Sequence, residues 1–260
     1  MPKYFRAEIT GNSTVNEHFQ LLTVKPLSEA TPPEPGQFYM LQASDNLDPL
    51  LKRPFSIFSF DEKCLQFLFR IKGKGTSYIS RSGAGNIINI IGPLGNGFPA
   101  PHGEFIVAAG GIGIAPLMPL LKRFDKRAFL FFGARNSNEL VMLDAARELA
   151  MDSFFSTDDG SKGRKGVITR LLADFIESNP AYKKLPVYCC GSAPMLKALS
   201  GIIERYNMTC HASVEEYMAC GVGACLGCIV KIKSEEANGF SYKRVCKEGP
   251  VFNLKDVVWR

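Results

Sequence analysis

The first hundred positions read as short apolar runs separated by turn residues. Residues 19–24, 37–42, 55–60, 65–70 and 86–91 are rich in Phe, Leu, Ile and Val. Pro and Gly punctuate them at 32–36, 73–75 and 92–97. Strands of this length and spacing predict an antiparallel β-barrel over residues 1–101. The texture changes after Pro101. Apolar strands at 105–109, 128–132, around Phe154 and at 186–190 alternate with helical patterns that run to Phe124 and over 138–151, 168–177 and 194–206. Strands alternating with helices predict a doubly wound parallel α/β sheet over residues 102–212. Residues 213–260 form a third unit, too small for a large core of its own and expected to be organised by a metal centre. The expected fold class is therefore multi-domain.

Composition adds little to this picture. Of the 260 residues, 46% are apolar and 22% charged, as in a globular protein with a full core. The net charge of +6 is spread along the chain, and the basic stretch at Lys162, Arg164 and Lys165 is too short for a nucleic-acid patch. A solvated, slightly basic surface is the favoured explanation, and a role in holding anionic dinucleotides or an acidic partner comes second to it. Residues 1–10 lack the basic and apolar segments of a secretory signal, and no apolar run reaches the roughly 18–20 residues of a spanning helix. The expected location is the cytoplasm.

Cysteine usage changes the picture. In a reducing compartment, grouped cysteines point to metal or redox chemistry rather than disulfides. Cys64, Cys189, Cys190 and Cys210 lie among apolar neighbours and read as core thiols. Cys220, Cys225, Cys228 and Cys246 form the spacing C-x4-C-x2-C-x17-C. A [2Fe–2S] cluster of the plant-ferredoxin kind takes four thiolates with this C-x4-C-x2-C run and a distant fourth. A loop around an anionic cluster must turn backbone N–H groups towards sulfur, and Gly221, Gly223 and Gly227 are expected to supply the unusual dihedral angles. The rival is a tetrahedral zinc site, which usually pairs two C-x2-C knuckles where this chain has one.

Two further turns suit a dinucleotide. Gly110, Gly111 and Gly113 join a buried strand to a helix, where free N–H groups and the helix dipole favour a pyrophosphate. Pro116 stands where the third glycine of a G-x-G-x-x-G pattern would fall. The turn Gly191-Ser192-Ala193-Pro194-Met195 also follows an apolar strand and opens a helix. Asp158 and Asp159 follow a third strand at the same edge, suited either to ribose hydroxyls or simply to solvent. In the barrel, Arg53-Pro54-Phe55-Ser56 offers a forked phosphate donor, an aromatic to cover part of a flavin and a hydroxyl for its N5 region. A buried Arg–carboxylate pair would explain Arg53 equally well. Gly75 and Thr76 offer backbone N–H groups to a pyrophosphate.

In order along the chain, R-P-F-S, G-K-G-T, G-G-I-G-I-A-P-L and C-G-S-A-P-M resemble the ferredoxin–NADP reductase superfamily. The tail, E-E-Y-M-A-C-G-V-G-A-C-L-G-C with V-C-K-E-G-P-V-F, resembles the electron-transfer subunits of NAD-dependent (type B) dihydroorotate dehydrogenases. The resemblance spans essentially the whole chain. It implies FAD contacts at Arg53, Pro54, Phe55, Ser56, Leu68, Phe69, Arg70, Gly75 and Thr76, and [2Fe–2S] ligands at Cys220, Cys225, Cys228 and Cys246. It implies NAD at Gly110, Gly111, Gly113, Gly191, Ala193, Pro194 and Met195. Two departures stand out: Phe55 replaces the superfamily's common Tyr, and Lys247-Glu248 precedes Gly249-Pro250 where a D-G-P context is more usual.

The resemblance implies an electron-transfer role in pyrimidine (UMP) biosynthesis. Electrons from an FMN-containing dihydroorotate dehydrogenase catalytic subunit would pass through [2Fe–2S] and FAD to NAD+, in a heterotetramer holding two of each chain. No catalytic proton-transfer residue is assigned, and His18, His102 and His211 are expected to be surface or structural. Glu215 and Glu216 are placed either near the flavin and nicotinamide or simply at the surface. The alternatives are the small subunit of another flavin and iron–sulfur oxidoreductase, of the NADH-dependent ferredoxin–NADP oxidoreductase or sulfide dehydrogenase type, and a redox-sensing protein without turnover.

Overall fold

The computed structural model describes residues 2–42, 47–236 and 238–259. The first sheet contains β1 (Lys3–Asn16), β2 (Phe19–Pro26), β3 (Phe38–Leu41), β4 (Arg53–Ser56), β5 (Ser59–Phe60) and β6 (Leu65–Arg70). Helix α1 (Lys74–Arg81) then leads into β7 (Ile87–Leu94), and the spatial order is β4-β3-β7-β1-β2-β6-β5. The longest strand, β1, lies outside the expected set. Phe5, Ala7 and Ile9 alternate inward along its first half, but a polar second half dilutes that signal. The expected strand at 55–60 is two strands. Ile57 N–H donates to Gln37 O at 3.0 Å and the next N–H, of Phe58, donates to Gln66 O at 2.9 Å. Consecutive residues thus bond to opposite ends of the sheet, and this switch curls it into a barrel.

The second sheet contains β8 (Phe105–Gly110), β9 (Ala128–Ala134), β10 (Asp152–Thr157), β11 (Arg164–Lys165), β12 (Val187–Cys190) and β13 (Cys210–Ser213). Its helices are α2 (Met118–Arg123), α3 (Leu143–Leu149), α4 (Ile168–Ser178) and α5 (Ala193–Arg205). A hairpin of β14 (Ile229–Lys233) and β15 (Phe240–Arg244) precedes β16 (Val251–Asn253), which pairs antiparallel with β13. The order is β11-β10-β9-β8-β12-β13-β16, parallel except for that last edge. Strands covered on both faces read as continuous apolar runs, as β8 and β9 do.

The barrel leans on both faces of this sheet. Phe38, Met40 and Leu94 join the core beneath α4 and α5, while Phe19, Phe58, Leu68 and Phe98 join the core on the opposite face. The helix expected to run to Phe124 begins as a 3-10 turn, Gly111–Leu117, before α2. Pro116 has no N–H for an α-type bond, so regular helix starts only beyond it. The helical pattern at 138–151 likewise shortens to α3, because Met142 turns left-handed at φ 59°. Among the described residues, no helix is long and apolar enough to cross a membrane.

His18 and His102 are exposed, whereas His211 is half-buried beside Tyr188, with ring centroids 5.4 Å apart. Burial holds the His211 imidazole below its ordinary value. The folded chain therefore takes up this proton less readily than the unfolded chain, and stability should fall as pH drops below about 6.5. Replacing His211 with Phe should flatten that acid-side decline, as read from melting temperatures between about pH 7 and pH 5.

Candidate functional site

The loop between β13 and β14 is shaped by glycine and pressed against the barrel. Gly221 has φ 71° and Gly223 φ 83°, values that L residues rarely adopt. The third left-handed residue is Leu226, at φ 57°, rather than Gly227. Gly227 leaves ordinary contact space instead, a Cβ there falling 3.5 Å from Cys225 Sγ. This conformation turns N–H groups onto sulfur. Gly223 N–H donates to Cys246 Sγ at 3.1 Å, Ala224 N–H to Cys220 Sγ at 3.3 Å and Cys246 N–H to Cys228 Sγ at 3.4 Å.

The four thiols fall into two pairs, Cys220 beside Cys225 and Cys228 beside Cys246. Among the described residues, no three His, Cys, Asp or Glu side chains converge as they would on a single ion. Two pairs suit a two-iron unit that takes two thiolates per iron. Burial works against ionising Cys220, yet N–H donors from Val222, Cys225 and Ala224 bring its thiol down to about 6. Burial and the neighbouring Cys228 push Cys246 up to about 12. Cys225 is exposed, while Cys228 and Cys246 are buried.

Arg244 ties the loop to the turn after β15. Its Nη1 donates to Gly223 O at 2.7 Å, and its Nε donates to Glu248 Oε2 at 3.0 Å, with a second bond from Nη2 to the same carboxylate. The Arg244 guanidinium lowers the Glu248 carboxyl to about 2. Glu248 O in turn accepts from Asn96 Nδ2 at 2.9 Å, and Gly249 O accepts from Asn96 N at 2.6 Å, which fastens the tail to the end of β7.

The two glycine turns meet. In the sheet, β9, β10 and β11 extend from one side of β8, while β12 lies on the other. Strand order therefore reverses between β8 and β12, and ligands of open α/β sheets bind beyond the carboxyl ends at such a point. A Cβ on Gly113 would fall 2.4 Å from Cys190 O, and a Cβ on Gly110 or Gly191 would fall within 2.5 Å of Met195 Sδ. Glu215 follows β13 at this junction. It keeps solvent access, but surrounding protein raises its carboxyl pKa against the pull of Lys72. Asp159 is used locally, accepting from Ser161 N at 2.9 Å.

At the barrel, residues 73–75 are not a plain turn but the start of α1. Thr76 Oγ1 accepts from Lys72 N at 2.9 Å and Gly73 N at 3.1 Å, capping the helix entry. Arg53 crosses its first turn so closely that a Cβ on Gly75 would lie 2.5 Å from Arg53 Nε. A helix N-terminus beneath a guanidinium is a phosphate-binding arrangement.

Residues 215–258 match the iron-sulfur cluster binding domain of dihydroorotate dehydrogenase B, and residues 107–201 match the oxidoreductase NAD-binding domain. A dihydroorotate dehydrogenase B (NAD(+)) electron transfer subunit from Caldanaerobacter subterraneus subsp. tengcongensis is 40% identical over 230 residues, covering 87% of this chain and 88% of that one. The corresponding subunit of Clostridium acetobutylicum is 36% identical over 252 residues, covering 96% and 95%. This chain belongs to the family of dihydroorotate dehydrogenase B electron transfer subunits. A solved NADH-dependent reduced ferredoxin-NADP oxidoreductase shares the fold with a TM-score of 0.82 at 24% identity, covering 97% of this chain and 90% of that chain. A ferredoxin reductase of carbazole 1,9a-dioxygenase follows with a TM-score of 0.65 at 18% identity, covering 80% and 67%.

The Phe55 ring is buried in the barrel core, edge-on to Phe69 at 5.2 Å and Phe67 at 6.3 Å. Strand alternation is the reason: with Phe55 inward, Pro54 and Ser56 face the other side. Phe69 is likewise a core ring, and Leu68 shares a core cluster with Ile114 and Leu117 of the 3-10 turn after β8. Arg70 pairs with Glu139 at 3.3 Å and lies over the Phe19 ring. The departure at Lys247-Glu248 is resolved by Arg244. Sequence reasoning missed Arg244, although its four-residue spacing from Glu248 and its place two before Cys246 could have flagged it.

Two outcomes follow. Replacing Gly113 with Ala should destabilise the chain by about 1–3 kcal/mol through overpacking against backbone, seen as a lower melting temperature with weaker NADH binding. Replacing Arg244 with Ala should weaken retention of a bound cluster about tenfold, measured as faster bleaching of visible absorbance with a chelator.

Proposed function

We propose that this chain carries electrons between a dihydroorotate-oxidising catalytic subunit and NAD+, as one half of a dihydroorotate dehydrogenase B. Cys220, Cys225, Cys228 and Cys246 hold a [2Fe–2S] cluster. The barrel unit, residues 1–101, holds FAD at Arg53, Pro54, Ser56, Arg70, Gly75 and Thr76, with Phe55, Leu68 and Phe69 shaping the strands behind it. The unit of residues 102–212 takes NAD at Gly110, Gly111, Gly113, Gly191, Ala193, Pro194 and Met195, and residues 213–260 form the cluster unit. When bound, FAD supplies the exchange between single-electron and hydride transfer that such a relay needs. In this arrangement Arg53 and the α1 N-terminus neutralise the flavin's phosphates. The two glycine turns let the dinucleotide backbone approach the sheet, and the N–H groups of Gly223 and Ala224 stabilise thiolate charge.

The observation that carries this reading is the seating of the cysteine loop on the barrel. A Cβ on Gly221 would lie 2.4 Å from Met40 Cγ, and Met40 is a residue of β3. The four sulfurs are thus held against the unit that bears the flavin residues. Tyr217, Val222 and Leu226 are exposed around Cys225, which supports a partner docking over this loop. The partner is an FMN-bearing subunit, the complex holds two of each chain, and it works in the cytoplasm in pyrimidine biosynthesis.

The test is an anaerobic native complex compared with its Cys225→Ser variant. NADH-driven dye reduction through FAD should persist in the variant, while dihydroorotate-dependent NAD+ reduction should fall at least about a hundredfold. Unchanged dihydroorotate traffic would refute the reading, as would a native partner that bears FAD and [4Fe–4S] clusters and does not oxidise dihydroorotate.

A further inference from the structure

Strand β1 changes phase part-way along its length. Ile9 lies opposite Val24 and Gly11 opposite Thr23, so Thr10 is one residue too many for β2. Such a bulge turns every later side chain to the other face. Asn12 therefore falls opposite Leu22, a fully buried core residue, and shares its face of the sheet. In an unbroken register Asn12 would lie on the outer face instead.

What Asn12 meets there is the end of α1. Its Nδ2 donates to Ile79 O at 2.8 Å, to Ser82 O at 2.9 Å and to Ser80 O at 3.3 Å. The last carbonyls of a helix have no partner within it, and here a side chain from a strand some 70 residues away supplies one. Ser82 Oγ adds a bond to Tyr78 O at 3.2 Å. Asn12 Oδ1 is buried and has no partner among the described residues. Turning the amide over would set that oxygen against three carbonyl oxygens, so the two N–H groups fix its orientation. Asn12 thus closes the helix end while its own acceptor stays unpaired.

The two ends of α1 are close enough to be coupled. Its 8 residues make it about 12 Å long. Ile79 anchors its middle in the barrel core, in one cluster with Ile9 and Leu22. At the other end Arg53 crosses Gly75 with no room for a Cβ between them. A shift of α1 along its axis therefore moves its first N–H groups relative to the Arg53 guanidinium. We propose that Asn12 is a positioning residue for the flavin dinucleotide: by holding the C-terminal end of α1, it sets where the N-terminal N–H groups meet the pyrophosphate beneath Arg53. This rests on the reading of the barrel as the FAD unit. Asn12 stands at the far end of the helix and acts only through it.

The test is flavin titration of the full chain freed of its flavin, followed by fluorescence quenching well below the melting temperature of every variant. FAD and riboflavin, which has no phosphate, are the two probes. Asn12→Asp keeps the side-chain shape but loses both donors, and its affinity for FAD should fall about tenfold, an amount within reach of a displaced helix dipole and its N–H groups. Affinity for riboflavin should stay as in the wild type. Asn12→Ser keeps one donor and should show a smaller loss in the same direction; it carries the test by the same criteria if the Asp variant does not fold. Phe5→Leu, which loosens the same barrel core without touching α1, should lower the melting temperature and leave FAD affinity unchanged. Folded Asn12 variants that bind FAD like the wild type overturn the proposal. So does an equal loss for FAD and riboflavin, the mark of a merely loosened barrel. A wild-type chain that binds no FAD would instead refute the flavin reading itself, and the proposal with it.

Discussion

Met40 against the backbone of Gly221 is the contact that seats the cysteine loop on the barrel. Met40 is fully buried on the outer side of β3, between Tyr39 and Leu41, which face the barrel interior. Gly221 meets two independent demands, a left-handed backbone and an approach that no side chain could survive. The loop is thereby held as near the barrel as bare backbone allows. Strand β16 anchors the same segment to β13, and Asn96 anchors it to the barrel's last strand. The sulfurs cannot retreat from the barrel without breaking all three attachments. An electron path needs such a fixed separation, and rigid elements on both sides are how a fold supplies one.

On the opposite face, a polar contact completes the junction. Glu139, 9% exposed, accepts from Arg135 Nε at 3.1 Å and lies 3.3 Å from Arg70 Nη1. One guanidinium comes from the end of β9 and the other from the end of β6. The Arg135 guanidinium holds the Glu139 carboxyl below its ordinary range. A buried carboxylate with two cations gains little net stability over apolar packing, but it is costly to satisfy in any other geometry. Its contribution is orientation. It fixes how the barrel sits against the sheet, while the apolar contacts of Phe19, Phe58 and Leu68 provide the burial.

Local patterns were legible where one face of an element is wet and opaque where chain path overrides periodicity. Residues 65–70 coincide with β6, because apolar alternation and flanking turns agree there. Residues 55–60 misled because the run is apolar throughout, and nothing in it marks the point at which the chain leaves β4 for β5. The same holds for the cysteine loop. Its ligand spacing is visible in the letters, and Gly221 and Gly223 do adopt the angles that glycine permits. The third such angle falls on Leu226, a residue no propensity scale would choose. The burial of the Phe55 ring was hidden for a related reason, since a motif identifies a strand but not which of its faces turns to the core.

What no local pattern carries is adjacency across the sheet. Gly113 and Gly191 are separated by 77 intervening residues, four strands and three α-helices, yet Gly113 has room for nothing larger than hydrogen against Cys190 O. The crossover that returns β12 to the far side of β8 brings them together. Each turn alone is ordinary strand-to-helix geometry. Packed so closely, neither can shift without the other. The glycines are therefore better explained by the contact between the turns than by the departure of either turn from a dinucleotide motif.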